Sequence, residues 1–200
     1  FEGPSSLSES DAEWMERAFD MAEEALANDE VPVGCVFVHD GREIGCGRND
    51  VNRTHDPTRH AEMVALERMQ QQERNLKEML PECTLFVTLE PCIMCASGLY
   101  QLGVHRIVYG ADNDRFGGMR SVGSAEKYNE DGEAIQVHSC LVVMICAYCS
   151  LKLPCELYFF IFEVVAGVQA ERAVQLLRTF YDKQNPFAPE EKRKIKKKKV

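Results

Sequence analysis

The chain has 200 residues, 45% of them hydrophobic and 28% charged, with a formal net charge of −9. Length and composition suit one globular domain with a sizeable core. The acidic balance argues against a protein that holds nucleic acid unaided, because phosphate recognition needs clustered positive charge. The nine cysteines are unevenly spaced and several sit in apolar runs. With no signal peptide visible, they read as reduced thiols of the cytosol or nucleus rather than a disulfide framework. Phe1 is not an initiator methionine, so the start is expected to be truncated, with targeting information missing.

Residues 1–9 read as a flexible lead-in. Ser10-Asp11-Ala12-Glu13 reads as a capping box, and Trp14, Ala18, Met21, Ala22 and Ala25 recur at helical spacing. A first helix is expected to run to about Asn28, packed on a sheet and without chemistry of its own. Val31 to Val38 is a short β-rich run, Asp40-Gly41 a hairpin turn, and Glu43 to Gly47 the returning strand. Arg48 to Pro57 is polar and turn-rich and leads into His60, which makes it a natural pocket wall. Within it Asn49 is either a turn residue or an amide presented to a base edge, as Asn is to adenine.

A helix from Arg59 to about Arg74 carries Ala61, Val64, Ala65 and Met69 on its buried side, and Gln70 to Gln72 is its solvated end. Cys83 to Leu89 is a third strand delivering Pro91 and Cys92. A helix then runs to about Leu102, and Val104 to Tyr109 is a fourth strand. Strand and helix alternate, which predicts a layered α/β domain with helices flanking a sheet. Gly110 to Gly123, with Arg115, Phe116 and Arg120, reads as a surface loop, with phosphate binding as the alternative.

Residues 139–168 are apolar and cysteine-rich, interrupted by Lys152, Pro154, Glu156 and Glu163. No uncharged run reaches the roughly 18 residues a membrane span needs. Cys146 and Cys149 form a C-x-x-C with no nearby histidine or acid to complete a site, so it reads as chance. Gln169 to Tyr181 is amphipathic, with Ala173, Leu176, Leu177 and Phe180 on one face, and Asn185-Pro186 ends it. The domain is thus expected over 10–183, followed by a basic tail over 184–200. In that tail Lys192, Arg193, Lys194, Lys196, Lys197, Lys198 and Lys199 are either a solvated end, a nuclear localisation signal or a phosphate-attracting segment.

Chemistry concentrates in two stretches, Thr58-Arg59-His60-Ala61-Glu62 and Glu90-Pro91-Cys92-Ile93-Met94-Cys95. Imidazole and thiolate are ligands zinc favours, so His60, Cys92 and Cys95 supply three of four tetrahedral positions and leave one for water. Cys92 and Cys95 are three apart, so on the first turn of a helix their sulfurs share a side. Pro91 suits the first helical position, and the positive helix end favours thiolate. At the start of a helix Glu62 can point into the same pocket without binding metal, where it would take a proton from the attacking water and hand it to the base ring nitrogen, then to the leaving ammonia. Either motif alone is weak. Together, in this order, H-x-E and P-C-x-x-C match the signature of zinc-dependent base deaminases.

The chain resembles the tRNA wobble-adenosine deaminases, both the catalytic subunits of the eukaryotic heterodimers and the bacterial homodimeric TadA enzymes. The resemblance rests on Glu30-Val31-Pro32-Val33-Gly34, Gly45-Cys46-Gly47-Arg48-Asn49, His55-Asp56-Pro57-Thr58, the two metal motifs and Val108-Tyr109-Gly110. Thr179-Phe180-Tyr181 and the lysine-rich tail resemble the eukaryotic subunits. It implies a cytidine deaminase-like three-layer α/β/α fold with a five-stranded mixed sheet, one zinc ion, and hydrolytic conversion of adenosine to inosine at the wobble position of tRNA. By position it assigns zinc to His60, Cys92 and Cys95, proton transfer to Glu62, the flipped base to Asn49, pocket lining to Ala61 and Val33, and tRNA to the basic tail.

It also implies a homologous partner subunit whose proton-shuttling glutamate is replaced, no membrane, and a location in nucleus and cytoplasm. Deaminases of a free base or nucleotide such as guanine, cytosine or deoxycytidylate share both motifs and form the alternative; the context of Asn49 and the basic tail weigh against it. A non-catalytic subunit with structural zinc is a third reading, opposed by the intact Glu62. The family pattern is broken from about Cys140 to Val168, a stretch expected to be foreign to the fold, such as translated intron sequence.

Overall fold

The computed structural model describes residues 8–72, 75–104, 106–121 and 163–182. The lead-in before Ser8, the Cys146/Cys149 pair, most of the apolar stretch and the basic tail lie outside the described residues.

Alternation dictates the layers. Along β1 (Gly34–His39), Cys35 and Phe37 face one cluster while Val36 and Val38 face another. The same split separates Leu85 and Val87 from Phe86 on β3 (Thr84–Leu89), and Ile107 and Tyr109 from Val108 on β4 (Arg106–Ala111). Strands whose two faces are both apolar must be covered on both sides. One face is covered by α1 (Glu9–Ala27) through Met15, Ala18 and Phe19, and by the last helix through Ala173. The other is covered through Ala61, Ala65 and Met69 of α3 (Ala61–Gln72) and Leu99 of α5 (Ile93–Gln101). Between these come α2 (Val51–Thr54) and α4 (Leu76–Met79), each a single turn.

The sheet has five strands in the order β2-β1-β3-β4-β5, with β2 at Arg42–Arg48 and β5 at Glu163–Val165. β1 runs antiparallel to β2 and β3, whereas β3–β4 and β4–β5 are parallel. This is the expected three-layer α/β/α architecture with a mixed sheet. The hairpin forms where Asp40-Gly41 places it: both residues have positive φ, 48° and 68°, as a two-residue turn of the favoured hand requires.

Three expectations are corrected. The capping box of α1 is Ser8 with Asp11, not Ser10 with Glu13: Ser8 Oγ accepts the Asp11 N–H and the Asp11 carboxylate accepts the Ser8 N–H, both at 3.1 Å. Asp11 also takes the Arg106 guanidinium at 2.9 and 3.1 Å, a pull from β4 that no local pattern reveals. Pro91 stands one residue before the N-cap of α5, which is Cys92, rather than at the first helical position. The foreign stretch cannot extend to Val168, because Glu163, Val164 and Val165 pair with Arg106, Ile107 and Val108, and Val168 N–H donates to the Tyr109 carbonyl at 3.1 Å. The final helix, α6 (Ala170–Asp182), follows directly. Its Arg172 lies 4.3 Å over the Phe19 ring and pairs with Glu16 and Glu23 of α1.

Close approach fixes where α3 lies. A Cβ on Gly47 would overlap the Ala61 carbonyl oxygen and stand 2.7 Å from the Ala65 nitrogen. Gly47→Ala is therefore expected to lift the N-terminal turn of α3 off β2, lower stability by about 1–3 kcal/mol in urea unfolding, and reduce activity, since that turn carries Glu62. Unchanged unfolding would mean that α3 has room to spare.

Candidate metal centre and active site

Two strand-to-helix turns meet at one point. The Arg59 carbonyl accepts the Asp50 N–H at 3.0 Å and the His60 N–H donates to Thr58 at 2.8 Å, so His60 is held just ahead of α3. Cys92 caps α5 and Cys95 lies one turn further on. The His60 Nδ1 is 3.4 Å from Cys92 Sγ and 3.5 Å from Cys95 Sγ, and all three ligand atoms lie within 4.8 Å of one another. A tetrahedral zinc with bonds of about 2.3 Å to sulfur and about 2.0–2.1 Å to nitrogen sets its ligand atoms about 3.5–3.8 Å apart, so the triangle fits the ion.

The electrostatics of the thiols agree. The hydrogen bond from Cys95 pulls the Cys92 thiol down to about 4 against the effect of burial, with His60 adding to it. That same hydrogen bond to Cys92, together with burial, pushes the Cys95 thiol far up. One thiolate is thus held readily and a second calls for a cation, which a divalent metal supplies. The hydrogen bond with Cys92 raises the His60 imidazole.

Glu62 sits on the first turn of α3 and is 3% exposed. Burial pushes its carboxyl above the ordinary range, and the Cys92 sulfur adds to this, while His60 draws it back. It stands beside the ligand triangle without belonging to it. Ala61 is fully buried at the start of the same helix, and Val33 packs against the apolar cluster that contains it. Asn49 is buried at the end of β2, its N–H donating to the Val33 carbonyl at 3.1 Å. The structure therefore brings the metal ligands and Glu62 together, and ties Val33 to Asn49. Lys192 to Lys199 fall outside the described residues.

The sequence profile of the cytidine and deoxycytidylate deaminase zinc-binding region matches residues 8–111. The tRNA-specific adenosine deaminase 2 of Danio rerio is 42% identical over 195 residues, covering 93% of this chain and 78% of the relative. That of Xenopus laevis is 39% identical over 199 residues, covering 98% of each. The chain belongs to the tRNA-specific adenosine deaminase 2 family, within the zinc-dependent cytidine and deoxycytidylate deaminases. A solved structure from a study of A-to-I editing by tRNA:A34 deaminases at the wobble position superposes with a TM-score of 0.59 at 27% identity, over 82% of this chain and 99% of that one.

Two buried acidic side chains near the site of this tRNA-specific adenosine deaminase 2 relative carry no catalytic signature in the sequence. Glu90, immediately before Pro91, is 1% exposed and accepts the backbone N–H groups of Asn113, Met119, Arg120 and Ser121 at 2.7 to 3.0 Å, and the Ser121 hydroxyl. The loop 112–121 is thereby folded over the Cys92 turn, with Ile93 N–H on the Phe116 carbonyl at 2.9 Å and Gly118 N–H on the Pro91 carbonyl at 2.8 Å. Glu30, at the entry to β1, is the other. The signal for both was an acid set directly against an apolar strand or a metal ligand, where a solvated charge has no place.

Proposed function

We propose that this chain is the catalytic subunit of a tRNA deaminase that hydrolyses wobble adenosine to inosine, working in a heterodimer with a homologous subunit that lacks the proton-shuttling glutamate. The observation that carries the reading is the His60–Cys92–Cys95 triangle with the buried, non-ligating Glu62 carboxyl beside it. Bound there, zinc supplies a Lewis acid that makes water nucleophilic near neutral pH. Glu62 takes one proton from the attacking water and delivers it to the ring nitrogen, then takes the second from the hydroxyl so formed and delivers it to the departing amine, ending as the carboxylate it began as. A carboxyl held above its ordinary range by burial suits both directions of transfer. Asn49 meets an edge of the flipped base, and Val33 and the Ala61 backbone line its walls. The basic tail adds sequence-blind attraction to phosphate that an acidic subunit otherwise lacks. The thiolate ligands suit a reducing location, nucleus and cytoplasm. Among the described residues no helix is long and apolar enough to cross a membrane.

Inosine formation is measured on a tRNA bearing a wobble adenosine and on free adenosine, with the chain alone and co-expressed with the partner subunit. Activity on the tRNA alone as substrate, and only with the partner, is the expected result. Activity without the partner points to a homodimer, and conversion of a free base or nucleotide overturns the tRNA reading.

A further inference from the structure

Glu30 is 1% exposed and takes no part in the chemistry above. Its carboxylate accepts the Arg53 N–H on Oε1 at 2.7 Å, and the Asn52 N–H at 2.9 Å and Asn49 Nδ2 at 3.3 Å on Oε2. Two of these donors open α2, whose N-cap Asp50 makes no side-chain capping bond and instead pairs with the Arg53 guanidinium. The third is the side chain of Asn49, itself 5% exposed.

A carboxylate presents acceptors only, so the end of Asn49 that faces it must be the NH2 group. Turning the amide over would set Oδ1 against Glu30, two acceptors in a buried site with no donor between them. Glu30 and Asn49 are 1% and 5% exposed, so the conflict would lie in a buried setting where it is costly. One N–H of Asn49 is committed to Glu30, and the other N–H and Oδ1 remain for a ligand. This is the half of the amide that pairs bidentately with a donor and acceptor side by side on a purine edge.

We propose that Glu30 is a positioning residue, which locks the Asn49 amide in the one orientation that reads the adenine edge while holding the start of α2. The proposal rests on the reading that Asn49 contacts the base. A glutamine at this position keeps the shape but presents an N–H to one side of the cradle, so either the α2 amides or Asn49 lose their acceptor.

The test is a double-mutant cycle on the co-expressed heterodimer, with kcat and KM measured on wobble-adenosine tRNA for Glu30→Gln, Asn49→Ala and the pair. Because tRNA binding comes from contacts elsewhere, misorientation of the base edge is expected to lower kcat about 10- to 100-fold with KM changed less than about twofold. In the Asn49→Ala background the same glutamine is expected to cost less than about twofold. Equal losses in both backgrounds overturn the proposal and leave Glu30 a cap of α2 only. If Asn49→Ala leaves kcat and KM untouched, the base contact itself fails and takes the proposal with it. Should Glu30→Gln not yield zinc-loaded protein, the Asn49 side-chain amide of the unmodified protein decides: slowed hydrogen exchange, assigned by its loss in Asn49→Ala, supports the lock, and exchange at the rate of an exposed amide overturns it.

Discussion

Glu62→Ala abolishes inosine formation while zinc stays at one ion per chain. Removing a general acid–base group costs roughly 10²–10⁴-fold, and a residue serving both transfers belongs at the upper end. A loss of about 10³-fold corresponds to roughly 4 kcal/mol of barrier. Metal occupancy is expected to hold because, among the described residues, the ligand triangle consists of His60, Cys92 and Cys95 without Glu62. Stability is expected to hold or rise, since the variant removes a buried carboxyl whose neighbours include the Cys92 sulfur. Metal analysis, a melting curve and an inosine assay on the same preparation separate these effects. A variant that keeps more than about a tenth of its activity removes Glu62 from the chemistry; one that loses zinc makes it a structural neighbour of the site. Glu62→Gln sharpens the comparison, because it keeps the volume and a hydrogen bond but cannot carry the proton.

The fold and the metal centre were legible because each has a local period. Two-residue alternation separated Cys35 and Phe37 from Val36 and Val38, and the three-residue step from Cys92 to Cys95 fixed two ligands at once. Glu62 was legible through its fixed offset from His60. Features whose cause lies far along the chain were not. Asp11 is drawn to Arg106 across 95 positions, which shifts the capping box by two residues. Glu30 and Glu90 act on backbone N–H groups 22 to 31 positions away, and a backbone donor has no side chain for a pattern to show. β5 spans three residues at the end of a long apolar run, too short to carry a period, so only its pairing with β4 reveals it. That pairing also sets how the apolar stretch must be tested: a deletion running through Glu163 would remove part of the sheet, so it has to end before that residue.

Glu90→Ala is expected to be the most damaging substitution outside the ligand set. Four backbone N–H groups and the Ser121 hydroxyl converge on this carboxylate. Each buried donor left without an acceptor costs about 1–3 kcal/mol, and some relaxation of the loop is certain, so a loss of about 3–5 kcal/mol in urea unfolding is the expected result. No other side chain can take its place cheaply: a Cβ on Gly117 would already overlap the Glu90 carboxylate, so the loop is moulded around that group. Burial opposes ionisation of Glu90, but the Arg120 N–H, the Ser121 side chain and the Asn113 and Ser121 N–H groups outweigh it and hold the carboxyl below its ordinary range. The stabilisation is therefore complete above the unfolded pKa of about 4.3 and is lost as pH falls through the lower folded value. Glu90→Gln should accordingly trail the unmodified protein at neutral pH, and the gap should narrow in acid. A gap that is constant with pH would assign the effect to shape rather than charge. Because Phe116 and Pro91 tie the same loop to the Cys92 turn, zinc affinity is expected to weaken in parallel with stability, and a variant that unfolds early yet binds zinc undiminished would show that the loop and the metal centre are independent.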